Sequence, residues 1–249
     1  MSQTSTNEEG QLGLAVARLY EAFSRYPLRS TTSPCLHCHS PQEETALHER
    51  PLHDLSVEAL RGFAADAMMT WGDVYDFKHF LPRLFEIVAT GDFNWPDLPV
   101  VFAHLTRGEW RIWPESERTA CEAYLIAKWN ATLSKFPAIH DADEVLCALG
   151  QCSEDLRPYL QAWTCADGEP PVRHLAAFLW DNGQSLIEGR GLRNAFWSGD
   201  RHKQQVQVRE WLRDPPLVQH VEKAFFNASS PEIENELSTA MTLLEALQR

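Results

Sequence analysis

Apolar residues recur at spacings of three and four along most of the chain, a periodicity that predicts helices rather than strands. Residues 11–25 carry Leu12, Val16, Leu19, Tyr20 and Phe23 on one face, and Pro27 ends the pattern. Residues 28–53, with Pro34, Pro41 and Pro51, lose the periodicity and read as one long irregular segment. Ser56 then caps a helix bearing Ala59, Leu60, Phe63 and Ala67, which Thr70-Trp71-Gly72-Asp73 terminates. Asp73 or Asp76 caps the next, where Phe77, Phe80, Leu81, Leu84, Phe85 and Val88 form one broad apolar face. Pro82 lies within it, either in the first turn of a helix that starts near Leu81 or at a kink. Further helices are expected over 98–105, 114–137, 144–149 (capped by Asp141 or Asp143) and 154–163. Beyond the breaker Asp167-Gly168-Glu169-Pro170-Pro171 come four more, over 172–188, 200–213, 215–227 and 231–248. Nowhere do β-branched residues alternate over a strand's length, and no fixed-period repeat stands out. The expected fold is all-α, an irregular multi-helix bundle or a HEAT-like helical stack. Its expected parts are a flexible N-terminus (1–10), a helical body (11–166) and a C-terminal helical layer (172–249) packed on that body.

Composition narrows the class. Among 249 residues, 44% hydrophobic content and nine tryptophans are enough for a folded core. No apolar run approaches the roughly 18 residues of a membrane span, and the polar start MSQTSTNEEGQ lacks a signal-peptide pattern. A cytoplasmic protein is expected. Thirty-five acidic against 22 basic residues give a net charge of −13, which argues against general nucleic-acid or anionic-membrane binding. The acidity is concentrated before residue 173, while Arg190, Arg193, Arg201, Lys203, Arg209 and Arg213 form a local basic stretch read as a solvated helix face. Six cysteines are too sparse for a disulfide scaffold; Cys121 and Cys147 sit in apolar helical patterns and read as buried.

One cluster carries chemistry. Cys35-x-x-Cys38, followed by His48 and His53, spells C-x2-C-x9-H-x4-H within the irregular segment. Two readings stand beside each other: a pair of unmetallated thiols, which is preferred, and a structural zinc held by Cys35, Cys38, His48 and His53. His37 and His39 are alternative ligands in the second. A thioredoxin-like redox role is not expected, because that chemistry places C-x-x-C at a helix start in a βαβ context.

Taken with the stretch Thr70-Trp71-Gly72-Asp73-x-x-Asp76-Phe77-Lys78-His79-Phe80-Leu81-Pro82-Arg83-Leu84, this C-x-x-C resembles a family of uncharacterised bacterial all-helical proteins over roughly residues 15–165. The resemblance implies a helical fold and a shared C-x-x-C, and it implies no activity. His37, His39, His48 and His53 are not features of that family. In size, acidity and helicity the chain is also similar to immunity proteins paired with secreted bacterial toxins.

Enzyme motifs are missing: no G-x-S-x-G, H-E-x-x-H or P-loop is present. Asp76, His79 and Arg83 share one helical face and read as a capped, salt-bridged helix start rather than an acid–base site. Most tryptophans, among them Trp71, Trp129, Trp163, Trp180 and Trp211, fall at core spacing. Trp95 differs, lying in Asp92-Phe93-Asn94-Trp95-Pro96-Asp97, where Asp92, Phe93, Trp95 and Asp97 are the candidate partner contacts. The expected function is a non-enzymatic, immunity-like inhibitor of a secreted toxin such as a nuclease. The alternative is a zinc-containing regulatory or scaffold module built around Cys35 and Cys38.

Overall fold

The computed structural model describes residues 3–91 and 93–248. Among them there are twelve α-helices and no strand, only isolated bridges pairing Pro34 and Ala67 with Trp71. The helices are α1 (Gln3–Phe23), α2 (Pro41–His48), α3 (Val57–Asp66), α4 (Val74–Thr90), α5 (Leu98–Arg107), α6 (Glu115–Leu133), α7 (Ala142–Cys152), α8 (Arg157–Cys165), α9 (Glu169–Ile187), α10 (His202–Leu212), α11 (Pro215–Phe226) and α12 (Pro231–Leu247). The fold is all-α. None of these helices is long and apolar enough to cross a membrane.

Local chemistry sets the boundaries. Ser56 accepts from the Ala59 N–H, Asp141 from the Glu144 N–H, and Asp73 from the Tyr75 and Asp76 N–H groups, so each fills a helix start as its sequence predicts. Asp73 and Asp76 complete a reciprocal capping box, and α4 runs on through Pro82. The segment 28–53 departs from its expectation. It contains α2, set by a second capping box in which Ser40 and Glu43 satisfy each other's backbone N–H.

The chain divides into two compact units, Thr6–Lys128 and one built mainly from Trp129 onward. The boundary falls inside α6 and not at the 167–171 breaker that the sequence suggests. Aromatic packing explains this placement. Trp163 meets Trp129 edge-on at 5.2 Å, stacks on Trp211 at 5.0 Å and abuts Phe178 at 5.8 Å, which ties α8 to the helices beyond the breaker. In the same unit α9 and α12 pack along their lengths, with Gly183 allowing Leu243 to approach. The first unit has its own core, in which α4 contributes Phe77, Phe80, Leu81, Leu84 and Phe85 to partners that include Phe63, Phe102 and Tyr124. Cys121 and Cys147 are buried, in line with their helical patterns. Trp180 is not: it is 74% exposed, because the helical period sets it beside Arg173, Ala177 and Gln184 on the outer face of α9.

Candidate functional site

The C-x-x-C segment is a tight turn on a prepared floor. The Cys38 and His39 N–H groups both donate to the Cys35 carbonyl, at 2.9 and 3.0 Å, while the Cys35 N–H donates to the Thr70 carbonyl at 2.7 Å. Below the turn His39 is buried, its ring centroid 4.4 Å from that of Trp71, and its Nε2 lies 3.0 Å from Thr70 Oγ1 and 3.4 Å from Asp66 Oδ2. The Trp71 indole N–H donates to Thr32 Oγ1 at 2.7 Å and to Glu44 at 3.2 Å, and the Thr32 hydroxyl itself donates to Glu44. A buried aromatic with a fully used polar edge therefore fixes the turn from beneath.

Both thiols face solvent. The backbone N–H groups of His37 and Cys38, together with the Cys38 thiol, hold the Cys35 pKa below its ordinary value. Cys38 moves the other way, raised chiefly by its hydrogen bond with Cys35, with desolvation by its neighbours and the Cys35 and Asp66 charges adding to it. An exposed, anion-favouring thiol thus sits beside a partner that keeps its proton.

The histidines named from spacing do not join this pair. His48 lies at the far end of α2, about 12 Å of helix from its start, and its Nε2 is 3.2 Å from Glu44. His53 stacks on Tyr20 with ring centroids 3.8 Å apart. Among the described residues no group of three or more His, Cys, Asp or Glu side chains is gathered to hold a metal ion, so Cys35, Cys38, His48 and His53 do not form one ligand set. No spacing flags the floor residues Asp66, Thr70 and Trp71, since they arrive from the end of α3 and the connection after it, some 30 positions away.

The loop before α5 has a different character. Phe93 is 2% exposed, and Pro96 and Leu98 are buried with it, whereas Asn94, Trp95 and Asp97 point outward. Phe93 is thus a root of the loop and not a surface contact, because an aromatic there has core to fill. Trp95 is 54% exposed, and Asp97 precedes α5 as its N-cap residue without a side-chain cap bond. Asp92 lies outside the described residues.

The charged face of α4 is committed to structure. Asp76 is buried in its capping box and its pKa is raised by that burial. Arg29 bonds Asp73 at 2.7 Å, and His79 Nδ1 donates to the Tyr26 carbonyl at 2.7 Å. Arg83 donates to the Leu55 carbonyl and pairs with Glu86. On the adjoining turn Lys78 Nζ is 2.7 Å from Glu117, whose side chain is buried and also accepts from Tyr26 at 2.7 Å. Each ionisable group here has a partner within the fold, which is what the capped-helix reading expects.

In the other unit a cavity of about 330 Å³ is lined by Asp167, Glu169, His220, Lys223 and Ile233, among others. Its lining mixes both signs of charge and converges on no single chemistry. No family model, curated protein or solved structure matches the chain.

Proposed function

We propose that the protein works by binding another protein, as a non-enzymatic, immunity-like inhibitor that covers a basic toxin such as a nuclease. The observation that carries this reading is the 93–98 loop: Trp95 stands out at 54% exposure while Phe93, Pro96 and Leu98 anchor the backbone beneath it. Tryptophan is the residue type most often found at the energetic centre of an interface. A loop already held by three buried neighbours loses little conformational freedom when it docks. The net charge of −13, with Asp97 exposed beside Trp95, favours encounter with a cationic partner.

The test is a binding and protection assay against the toxin encoded beside this gene. The wild-type chain is expected to bind that toxin and to restore growth when the two are co-expressed. Trp95→Ala is expected to weaken binding about 30-fold, the equivalent of a 2 kcal/mol anchor. Unchanged affinity in a combined Trp95→Ala and Asp97→Lys variant would remove the loop from the interface. The lack of any such neighbouring toxin, or a toxin that is not bound, would overturn the immunity reading.

A further inference from the structure

We propose that Cys35 and Cys38 form a thiol–disulfide exchange site, with Cys35 as the attacking sulfur and Cys38 as the resolving one, acting on accessible disulfides of the glutathione-disulfide class. This stands apart from the binding reading and uses residues that reading leaves idle.

Four observations lead to it. First, the Cys38 N–H to Cys35 carbonyl bond at 2.9 Å closes a four-residue turn. Such a turn holds its end Cα atoms within about 7 Å, and disulfides span about 4.4–6.8 Å. The backbone separation of the two cysteines is therefore of the size a disulfide spans. Secondly, the nearby His37 and Cys38 backbone N–H groups and the Cys38 thiol favour the anionic form of Cys35 and lower its pKa. A helix N-terminus supplies that kind of anion support in better-known dithiol sites; here three residues of turn provide it locally. Thirdly, both cysteines are exposed, and so are Leu36 and His37 between them, which leaves the approach to Cys35 open. Fourthly, the turn is pinned to the buried base through the Thr70 carbonyl and the His39 ring on Trp71.

The chemistry balances with one disulfide consumed. The Cys35 thiolate attacks one sulfur of R–S–S–R, forming a mixed Cys35–S–S–R bond and releasing RS⁻, which takes up a proton. Cys38 then loses its proton to solvent and attacks the Cys35 sulfur, expelling the second RS⁻, which is protonated in turn. Two protein thiols become one Cys35–Cys38 disulfide, and the small disulfide is reduced by two electrons to two thiols. Run in reverse, the same steps pass the oxidising equivalent to another dithiol.

The whole reduced chain, treated with oxidised glutathione and digested with trypsin, provides the test, because cleavage after Arg29 and Arg61 (the Arg50–Pro51 bond resists trypsin) places both cysteines in one peptide. That peptide is expected to lose about 2 Da as the disulfide closes. Cys38→Ser should stop at a Cys35–glutathione adduct, while Cys35→Ser should react at Cys38 at least about 10-fold more slowly. Exposed, single Cys165 is the internal comparison and should be modified more slowly than Cys35. Both serine variants alter exposed positions, and an unchanged helical circular dichroism spectrum confirms that they fold. Equal adduct rates in the two variants, or a reduced pair in protein whose Cys165 is already modified, would overturn the proposal. So would a metal ion retained by both thiols that leaves them inert to the disulfide.

Discussion

Two buried or half-buried charges set how single residues govern stability. Asp143, in the first turn of α7, has its pKa pushed up to about 7, mainly by burial and then by the nearby Asp141 and Asp181 charges. The folded chain therefore holds this proton more tightly than the unfolded one. The stabilisation is complete below about pH 4 and fades as pH rises through about 7. The full displacement would be worth about 4 kcal/mol. The helix N-terminus and residual solvent pull the other way, so about 1–2 kcal/mol is the better expectation. Asp143→Asn should melt like the wild type near about pH 3.5, below the unfolded pKa, and several degrees higher at about pH 8, and thermal denaturation at the two pH values checks it. The Lys78–Glu117 pair behaves differently, since Glu117 is sealed from solvent with Tyr26, Lys78 and Arg25 around it. Lys78→Met should cost about 3 kcal/mol in urea unfolding, because a buried carboxylate loses its closest cation. Adding Glu117→Leu should recover most of that loss. If the double variant is no better than the single one, the Lys78 stem and its packing over the Trp113 ring at 4.3 Å matter more than the charge.

At the scale of elements, close approach decides what a helix tolerates. A Cβ on Gly150 of α7 would sit 2.7 Å from the buried Trp197 ring. Alanine normally gains up to about 1 kcal/mol over glycine inside a helix. Overpacking against a fixed indole costs about 1–3 kcal/mol, so Gly150→Ala should destabilise on balance, with altered tryptophan fluorescence as the local readout. How far elements are legible follows the same physics. The starts at Ser56, Asp73 and Asp141 could be read directly, because one capping side chain and the apolar stripe after it are both local signals. Helix α2 escaped notice although Ser40-x-x-Glu43 spells its capping box, since only Leu47 of that helix is buried and no stripe follows the cap. Trp180 misled for the opposite reason: its neighbours are apolar, but a difference of one or two positions turns it to the outer face of α9. Of the dithiol site, the sequence shows the two cysteines. It does not show the floor of His39, Asp66, Thr70 and Trp71, which only the tertiary fold assembles.

Over the whole molecule, the long-range field and the fold's division matter most. If the binding reading holds, association with a basic partner should slow as salt rises from 50 to 500 mM by about 10-fold or more, with dissociation far less affected. Trp95→Ala should do the reverse, speeding dissociation at nearly constant association rate, while Asp97→Lys with Asp92→Lys should mainly slow association. Stopped-flow or surface-binding kinetics separate these outcomes, and a salt-independent on-rate would refute the steering idea. The passage from one compact unit to the next lies between Lys128 and Trp129, in the middle of the hydrogen-bonded ladder of α6. For anyone who wishes to dissect the protein, this makes the obvious cut the wrong one. A fragment ending at Lys128 strands up to four carbonyls of a helix that was meant to continue, and one beginning at Trp129 places at a fraying end the indole whose N–H bonds the Tyr159 carbonyl. A gene fragment that carries α6 entire, on whichever side it is assigned, keeps the ladder whole and is the piece to express.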